Sequence, residues 1–214
     1  MEIRSLFLTG LLALALAAPV SSQEATEVVG SLSLHLQGGI STDPAGFDAF
    51  RNTTFGIAPA IGGGFTYVLY PNIAIRGDFH YSPKRGNEKC CDPWTPGDGQ
   101  GVTVPGNPGS IDEPVDLNRN YYGMSVVFRF PQERFVPYLK GGAGFVDIVR
   151  DAYRYQYDFA EFGAQLGAGV SVPIAENVAI FADATRWIYA RVGTGEGDQH
   201  DTLLSVGLSY TIVQ

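Results

Sequence analysis

The stretch that decides the fold reads Ala160-Glu161-Phe162-Gly163-Ala164-Gln165-Leu166-Gly167-Ala168-Gly169-Val170-Ser171-Val172. Apolar residues occupy its even positions, and glutamate, glutamine, serine and glycine occupy its odd ones. A period of two is typical of a β-strand with one apolar and one polar face. Strands of soluble proteins usually have about 5–6 residues, whereas a tilted strand that crosses a membrane needs about 9–11. The length of the pattern therefore predicts a membrane-crossing strand.

A second alternating stretch follows this one after a turn at residues 173–177, which contains Pro173 and Asn177. Its alternation runs from Val178, with one face formed by Val178, Ile180, Ala182 and Ala184 and the other by Ala179, Phe181, Asp183 and Thr185. The segment 159–189 thus predicts a complete transmembrane β-hairpin.

Six further segments with the same alternation bring the predicted number of strands to about eight. They cover residues 31–40, 55–70, 73–82, 121–130, 135–148 and 202–213. Short connections at 70–72, 131–134 and 173–177 alternate with longer ones at 41–54, 83–120, 149–158 and 191–201. Bacterial single-chain barrels have an even number of strands, short periplasmic turns and longer extracellular loops. We therefore expect 83–120, rich in Gly, Pro and Asp, to be a long irregular extracellular loop.

The polar face is too small and too sparsely charged for a hydrated exterior, which predicts that it points into a closed barrel. The residues expected inside are His35, Gln37, Arg76, Asp78, His80, Arg129, Lys140, Glu161, Gln165 and Asp183. An eight-stranded barrel has room only for its own side chains. We therefore expect Arg76, Arg129 and Lys140 to pair across the lumen with Asp78, Glu161 and Asp183 and to plug it. The alternative is a charged conduit, which would make the protein a narrow pore.

Aromatic residues gather near both ends of the predicted strands, as they do at the two interfaces of a membrane. The expected turn-side girdle contains Tyr67, Tyr70, Phe130, Phe135 and Tyr138. The expected loop-side girdle contains Tyr81, Tyr121, Tyr122, Phe159 and Tyr189.

The first residues predict export from the cytoplasm. A charged start, an apolar run at residues 6–18 and small residues around Ser22 are typical of a signal peptide of residues 1–22, cut before Gln23. The remainder, 23–214, is the size of one domain. The net charge of −8 argues against nucleic acid as a partner. The only cysteines are the adjacent Cys90 and Cys91, which are too close for an ordinary disulfide, so free thiols and an intermolecular or strained bridge both remain open.

A strand reading Phe135-Val136-Pro137-Tyr138-Leu139-Lys140-Gly141-Gly142-Ala143-Gly144, together with the signal and the eight alternating segments, resembles the small outer-membrane β-barrel family of OmpA-like transmembrane domains and opacity-like porins. The resemblance implies an all-β fold: an eight-stranded antiparallel up-and-down transmembrane β-barrel in the bacterial outer membrane. It also implies a monomer whose partners are outer-membrane lipids, lipopolysaccharide, the barrel-insertion machinery and an extracellular ligand or host surface. Family members usually end on an aromatic residue, whereas this chain ends on Gln214.

Three functions follow as hypotheses. The first is an envelope structural or surface-interaction role carried by the loops, with no catalytic, cofactor-binding or metal residue. The second is a lipid A deacylase-like enzyme, since His80-Tyr81-Ser82 resembles the His-x-Ser pair of such barrels, with Glu161 or Asp78 as the orienting carboxylate. The third is the narrow pore. Acidic residues that could attract divalent cations, or simply form a solvated surface, are Asp92, Asp98, Asp112, Glu113 and Asp116.

Overall fold

Eight β-strands close into a barrel in the computed structural model, which describes residues 29–42, 57–90, 111–152, 155–189 and 199–212. The strands are β1 (Leu32–Thr42), β2 (Ala58–Tyr70), β3 (Ile73–Cys90), β4 (Ile111–Arg129), β5 (Val136–Ala152), β6 (Tyr155–Ala175), β7 (Val178–Tyr189) and β8 (Gln199–Ile212). Each pairs antiparallel with its neighbours in the chain, and β1 closes the barrel against β8, with Leu34 opposite Tyr210. The predicted eight-stranded antiparallel barrel is confirmed.

The direction of the two faces is visible in β1. Ser33, His35 and Gln37 are each only 4% exposed, whereas Leu36 between two of them is 75% exposed. The apolar face therefore points outward and the polar face points inward, the reverse of a water-soluble barrel. Such a wall is stable only where hydrocarbon surrounds it, and closure leaves no strand edge with unsatisfied backbone groups there.

The predicted aromatic girdles are only partly correct. Tyr67, Tyr70, Phe130, Phe135 and Tyr122 are between 39% and 64% exposed on the outer surface. Three other predicted girdle residues are wrong, because they are buried inside the barrel: Tyr121, Tyr138 and Tyr189. Their hydroxyl groups donate hydrogen bonds to acidic side chains in the lumen. A tyrosine can be buried when its hydroxyl has such an acceptor, so these three side chains point inward and do not lie at the membrane interface.

Several strands are longer than the alternation predicts. The prediction that 83–120 is irregular throughout is wrong, since β3 continues to Cys90 and β4 begins at Ile111, with Pro83 opposite Asn118. The predicted loop at 149–158 is also wrong, because β5 continues to Ala152 and β6 begins at Tyr155. The physical reason is that backbone pairing satisfies N–H and C=O groups whatever the side chains are. Apolar alternation reports only the part of a strand that faces lipid.

Some predictions fall outside the described part of the chain. They concern the signal peptide 1–22, Cys91, Asp92, Asp98 and the terminal Gln214, which lie outside the described residues. The same holds for the side chains of Cys90, Asp112, Glu113, Asp116 and Phe159. The described residues include no helix with the length and apolar character needed to cross a membrane.

Candidate functional site in the barrel lumen

The polar residues predicted to lie inside all do so. His35, Gln37, Arg76, Asp78, His80, Arg129, Lys140, Glu161, Gln165 and Asp183 are each at most 6% exposed. Residues two apart on a strand share a face, which is why Arg76 and Asp78 of β3 point into the lumen together. The closed barrel then brings them opposite Lys140 of β5 and Asp183 of β7.

Four of these side chains form one charge cluster, defined here as Arg76, Asp78, Lys140 and Asp183. Arg76 Nε lies 2.9 Å from Asp78 Oδ1, and Arg76 Nη1 lies 3.3 Å from Asp183 Oδ2. Lys140 Nζ lies 3.4 Å from Asp78 Oδ2 and 3.1 Å from Asp183 Oδ1. Each of the two cations contacts both of the two carboxylates. Because the positive and negative charges are equal in number, the cluster has no net charge.

Hydrogen-bonding side chains of β1 surround Asp78. His35 Nε2 lies 3.0 Å and Gln37 Nε2 lies 3.2 Å from Asp78 Oδ1. The Ser205 hydroxyl donates to Gln37 Oε1 over 3.0 Å, which fixes the amide. Because a buried carboxylate costs several kcal/mol unless its lone pairs are satisfied, these contacts stabilise Asp78 in its charged form.

A second set of contacts holds Asp183 and Arg76 on the opposite wall. The Tyr138 hydroxyl donates to Asp183 Oδ2 over 2.9 Å, and the Thr185 hydroxyl donates to Asp183 Oδ1. The guanidinium carbon of Arg76 lies 4.9 Å from the centroid of the Phe181 ring, a distance at which a cation and an aromatic face attract. Charged and aromatic side chains together therefore span the lumen from wall to wall.

A second layer lies nearer the loop end of the barrel and is centred on Asp201 of β8. Tyr121 and Tyr189 donate their hydroxyl groups to Asp201 Oδ2 over 2.7 Å and 2.8 Å. Arg119 donates to Asp201 Oδ1, and the Trp187 ring packs 5.6 Å from the Tyr121 ring. All five side chains are buried. We call this the loop-side layer.

The loop-side layer was missed by the sequence analysis. Arg119 and Asp201 lie in segments that composition assigns to loops, although Arg119 is two residues before Tyr121 and therefore shares its face. A signal for the buried tyrosines was nevertheless present in the sequence. A tyrosine that lies an even number of residues from an inward charged residue on the same strand also points inward, and this applies to Tyr138 as well as to the tyrosines of the loop-side layer. Tyr138 is two residues before Lys140, and Tyr189 is six residues after Asp183.

The predicted lumen pairing is correct for part of the set. Arg76 and Lys140 pair with Asp78 and Asp183 as expected. Glu161 is buried, but among the side chains that the structure describes it does not share in the ion pairs of Arg76 and Lys140. The register of the barrel decides this, because it sets which inward residues meet at the same height.

The proposed catalytic pair of the enzyme hypothesis is not assembled. His80 Nε2 lies 3.2 Å from Gln37 Nε2, while the Ser82 hydroxyl donates to the backbone carbonyl of Pro59 over 3.1 Å. A general base must lie about 2.6–3.2 Å from the hydroxyl that it activates. Both side chains are buried on the lumen side, whereas a lipid would approach from outside.

We expect His80→Ala to leave the acyl pattern of the host's lipid A unchanged, because the histidine contacts Gln37 and not Ser82. Mass spectrometry of lipid A from cells that express equal amounts of either barrel checks this. The matched control is Ser82→Ala, which removes the other half of the pair. Disappearance of a deacylated species in both variants would establish the enzyme hypothesis.

In the described part of the chain, no three His, Cys, Asp or Glu side chains lie close enough to hold an ion. In the charge cluster, the side chains of Arg76 and Lys140 lie between the carboxylates of Asp78 and Asp183, where a metal ion would lie in a metal site.

The family model for the outer membrane protein beta-barrel domain matches residues 8–211, nearly the whole chain. The chain belongs to this family. The outer membrane protein beta-barrel family consists of bacterial outer-membrane proteins, which agrees with the outward apolar face and places the protein in that membrane. The predicted resemblance to small outer-membrane barrels is thereby confirmed.

Solved structures of the same architecture align with this family member over most of both chains. The N-terminal barrel domain of Pseudomonas aeruginosa OprF has 14% identity and a TM-score of 0.51, covering 86% of this chain and 98% of that one. Neisserial surface protein A has 14% identity, a TM-score of 0.52 and the same coverage, and P. aeruginosa OprG has 10% identity, a TM-score of 0.51 and the same coverage. Identities this low show the fold alone. No curated protein matches the chain.

Proposed function

We propose that this outer-membrane barrel is plugged and non-conducting, and that it has an envelope structural or surface-interaction role carried by its extracellular segments. The observation that carries the proposal is the charge cluster, in which Arg76 and Lys140 each contact both Asp78 and Asp183. Because two cations and two carboxylates are paired within this cluster, it offers no unpaired charge to an ion of either sign.

Passage through the barrel would require both layers to separate. An ion would have to break the contacts of the charge cluster and then those of Tyr121, Tyr189 and Arg119 with Asp201. Separating these pairs would leave buried charges without their partners, which costs several kcal/mol per ion, so we expect an open state to be rarely populated. This favours a plug over a narrow pore.

Planar bilayer recordings test the plug directly. We expect the purified protein to give no steady single-channel steps, because the paired side chains of the two layers cross the lumen. A porin of known conductance, inserted in the same membranes, serves as the positive control for insertion and sensitivity. Large and reproducible steps from this protein would overturn the plug and make the pore the better hypothesis.

We propose that the long connections lie outside the cell, and the adjacent Cys90 and Cys91 allow a test of this. A membrane-impermeant maleimide, added after a brief reduction, should label them on intact cells. The matched variant replaces both by serine and introduces Glu133→Cys in the exposed connection between β4 and β5, which should be protected until the membrane is broken. The opposite labelling pattern would invert the orientation.

The remaining parts of the proposal concern processing and partners. We propose that residues 1–22 are removed as a signal peptide and that the mature monomer inserts through the barrel-insertion machinery. Outer-membrane lipids and lipopolysaccharide surround it, and an extracellular ligand or host surface meets its loops. The geometry of His80 and Ser82 supports a non-enzymatic role, because the Ser82 hydroxyl donates to the backbone carbonyl of Pro59 and His80 contacts Gln37.

A further inference from the structure

We propose that the lumen binds at least one ordered water molecule between the charge cluster and the loop-side layer, and that Gln165 and Trp187 hold it. Gln165 is only 1% exposed and Trp187 is fully buried. The site deepens the proposed plug and rests on it only for the two layers that close the lumen on either side. It takes no part in the ion pairs of the charge cluster.

Three buried hydrogen-bonding atoms of these two side chains have no partner among the residues that the structure describes. They are Nε2 and Oε1 of Gln165 and Nε1 of Trp187. A buried polar atom that lacks a partner loses the hydrogen bonds that it makes to water in the unfolded chain. Buried polar side chains therefore nearly always have a partner, either in the protein or in ordered water.

The register places the two side chains between the two layers. Gln165 of β6 lies opposite Gly142 of β5, which is two residues beyond Lys140 of the charge cluster. Gln165 also lies opposite Trp187 of β7, whose ring packs 5.6 Å from the Tyr121 ring of the loop-side layer. The amide and the indole are therefore neighbours on the inward face of one strand pair.

The wall that faces the amide carries glycines in place of side chains. Gly142 and Gly144 of β5 point inward, and Gly144 lies opposite Gly123 of β4. A Cβ atom at Gly123 would overlap Nε2 of Gln165 and lie 2.9 Å from Cη2 of Trp187, so both side chains approach the same stretch of bare backbone. The backbone of β4 and β5 is already paired with a strand on each side here. A partner for the amide therefore has to come from elsewhere.

The three unpartnered atoms select the chemical class of the ligand. The amide and indole nitrogens donate hydrogen bonds, whereas the amide oxygen accepts them. A cation would be repelled by the two N–H groups and an anion by the amide oxygen, and the cations of the charge cluster are already paired with carboxylates. A water molecule both donates and accepts, and a buried one typically makes about 3 hydrogen bonds. Water therefore fits the site, and an ion of either sign does not.

NMR can observe the bound water at the indole proton, because Trp94 and Trp187 are the only tryptophans in the chain. The full barrel, labelled with ¹⁵N at tryptophan, is placed in phospholipid nanodiscs, and Trp94→Phe assigns the two signals. We expect a cross-peak between the Trp187 indole proton and water that has opposite signs in the laboratory-frame and rotating-frame Overhauser experiments. Chemical exchange of the indole proton with solvent gives the same sign in both. A cross-peak from exchange alone, or no cross-peak, would overturn the proposal.

Gln165→Met should remove at least half of the intensity of this cross-peak, because it keeps the length of the side chain and removes both amide atoms. The matched control is Leu166→Met at the next, lipid-facing position of β6, which should leave the cross-peak unchanged. The Tyr121 hydroxyl proton can relay magnetisation from water, but it is present in both variants. Heat-modifiable gel migration confirms that each variant is folded. An undiminished cross-peak in the folded Gln165→Met barrel would contradict the site.

Urea unfolding supplies a second, independent measurement on the same variant. With water bound, Gln165→Met loses hydrogen bonds and should unfold at a lower urea concentration than the wild type. Without bound water, the same substitution removes unsatisfied polar atoms, which is neutral or stabilising. An unchanged or raised midpoint would therefore overturn the water site. Conductance steps in planar bilayers would overturn the plug alone, since NMR detects the water at Trp187 whatever the lumen conducts.

Discussion

Asp78→Asn is expected to lower the free energy of unfolding of the barrel by about 3–5 kcal/mol, the usual effect of removing one partner from a buried pair. The asparagine keeps the size of the side chain but leaves Arg76 and Lys140 sharing Asp183 alone. The distances of 2.9 Å and 3.4 Å to Asp78 are replaced by weaker contacts to a neutral amide. The lumen then holds two buried cations and one carboxylate in the cluster.

Urea unfolding of the barrel refolded into lipid vesicles measures this change. The control is Asp158→Asn at an exposed position of β6, where surface substitutions usually change stability by less than about 0.5 kcal/mol. A double variant, Asp78→Asn with Lys140→Met, restores the balance of one cation to one carboxylate and should recover part of the loss. Equal stability of the single variant and the wild type would contradict the charge cluster.

Gly142→Ala should destabilise the barrel by more than about 3 kcal/mol or prevent its refolding, beyond the usual cost of overpacking. A Cβ atom at Gly142 would overlap the backbone oxygen of Met124 and lie 2.6 Å from the Cα of Ser125. Both contacts are with the backbone of β4, which cannot rotate away as a side chain could. The two strands would have to separate where they pair.

The neighbouring glycine supplies a closely matched control. At Gly141 the nearest atom to an added Cβ is a side-chain carbon of Leu166, 3.5 Å away, which is an ordinary contact. Gly141→Ala should therefore change stability by less than about 0.5 kcal/mol. The fraction of heat-modifiable barrel after refolding compares the two variants. Similar yields for both would show that β4 and β5 do not approach each other as closely as the structure has them.

The lipid-facing and lumen-facing sides of each strand could be predicted from the sequence, because the alternation of side chains along a strand is a local property. Leu36 and His35 point to opposite sides whatever the rest of the chain does, so the inward position of His35, Lys140 and Asp183 could be predicted from parity. The same alternation puts Tyr138 on the face of Lys140, but the sequence analysis assigned it to the outer girdle. The girdle assignment failed because it used position along the strand in place of parity.

The length of the strands beyond the membrane could not be predicted from apolar alternation. Residues 83–90 and 111–120 pair along their backbones, and backbone pairing by itself requires no periodic pattern of apolar side chains. Proline and glycine in this segment indicate a loop by composition, but Pro83 is accommodated opposite Asn118 at the point where the hairpin leaves the lipid-facing wall.

By itself, the sequence determined the number of crossings, the face that meets lipid and the set of polar residues enclosed in the lumen. Only the tertiary structure decided which of those residues touch. Asp78 meets Lys140, two strands away, and Glu161 meets neither, because closure of β1 on β8 and the stagger of each hairpin fix the height of every inward side chain. The height of an inward side chain along the barrel axis depends on the registers of all eight strand pairs. It therefore cannot be predicted from the sequence of one strand.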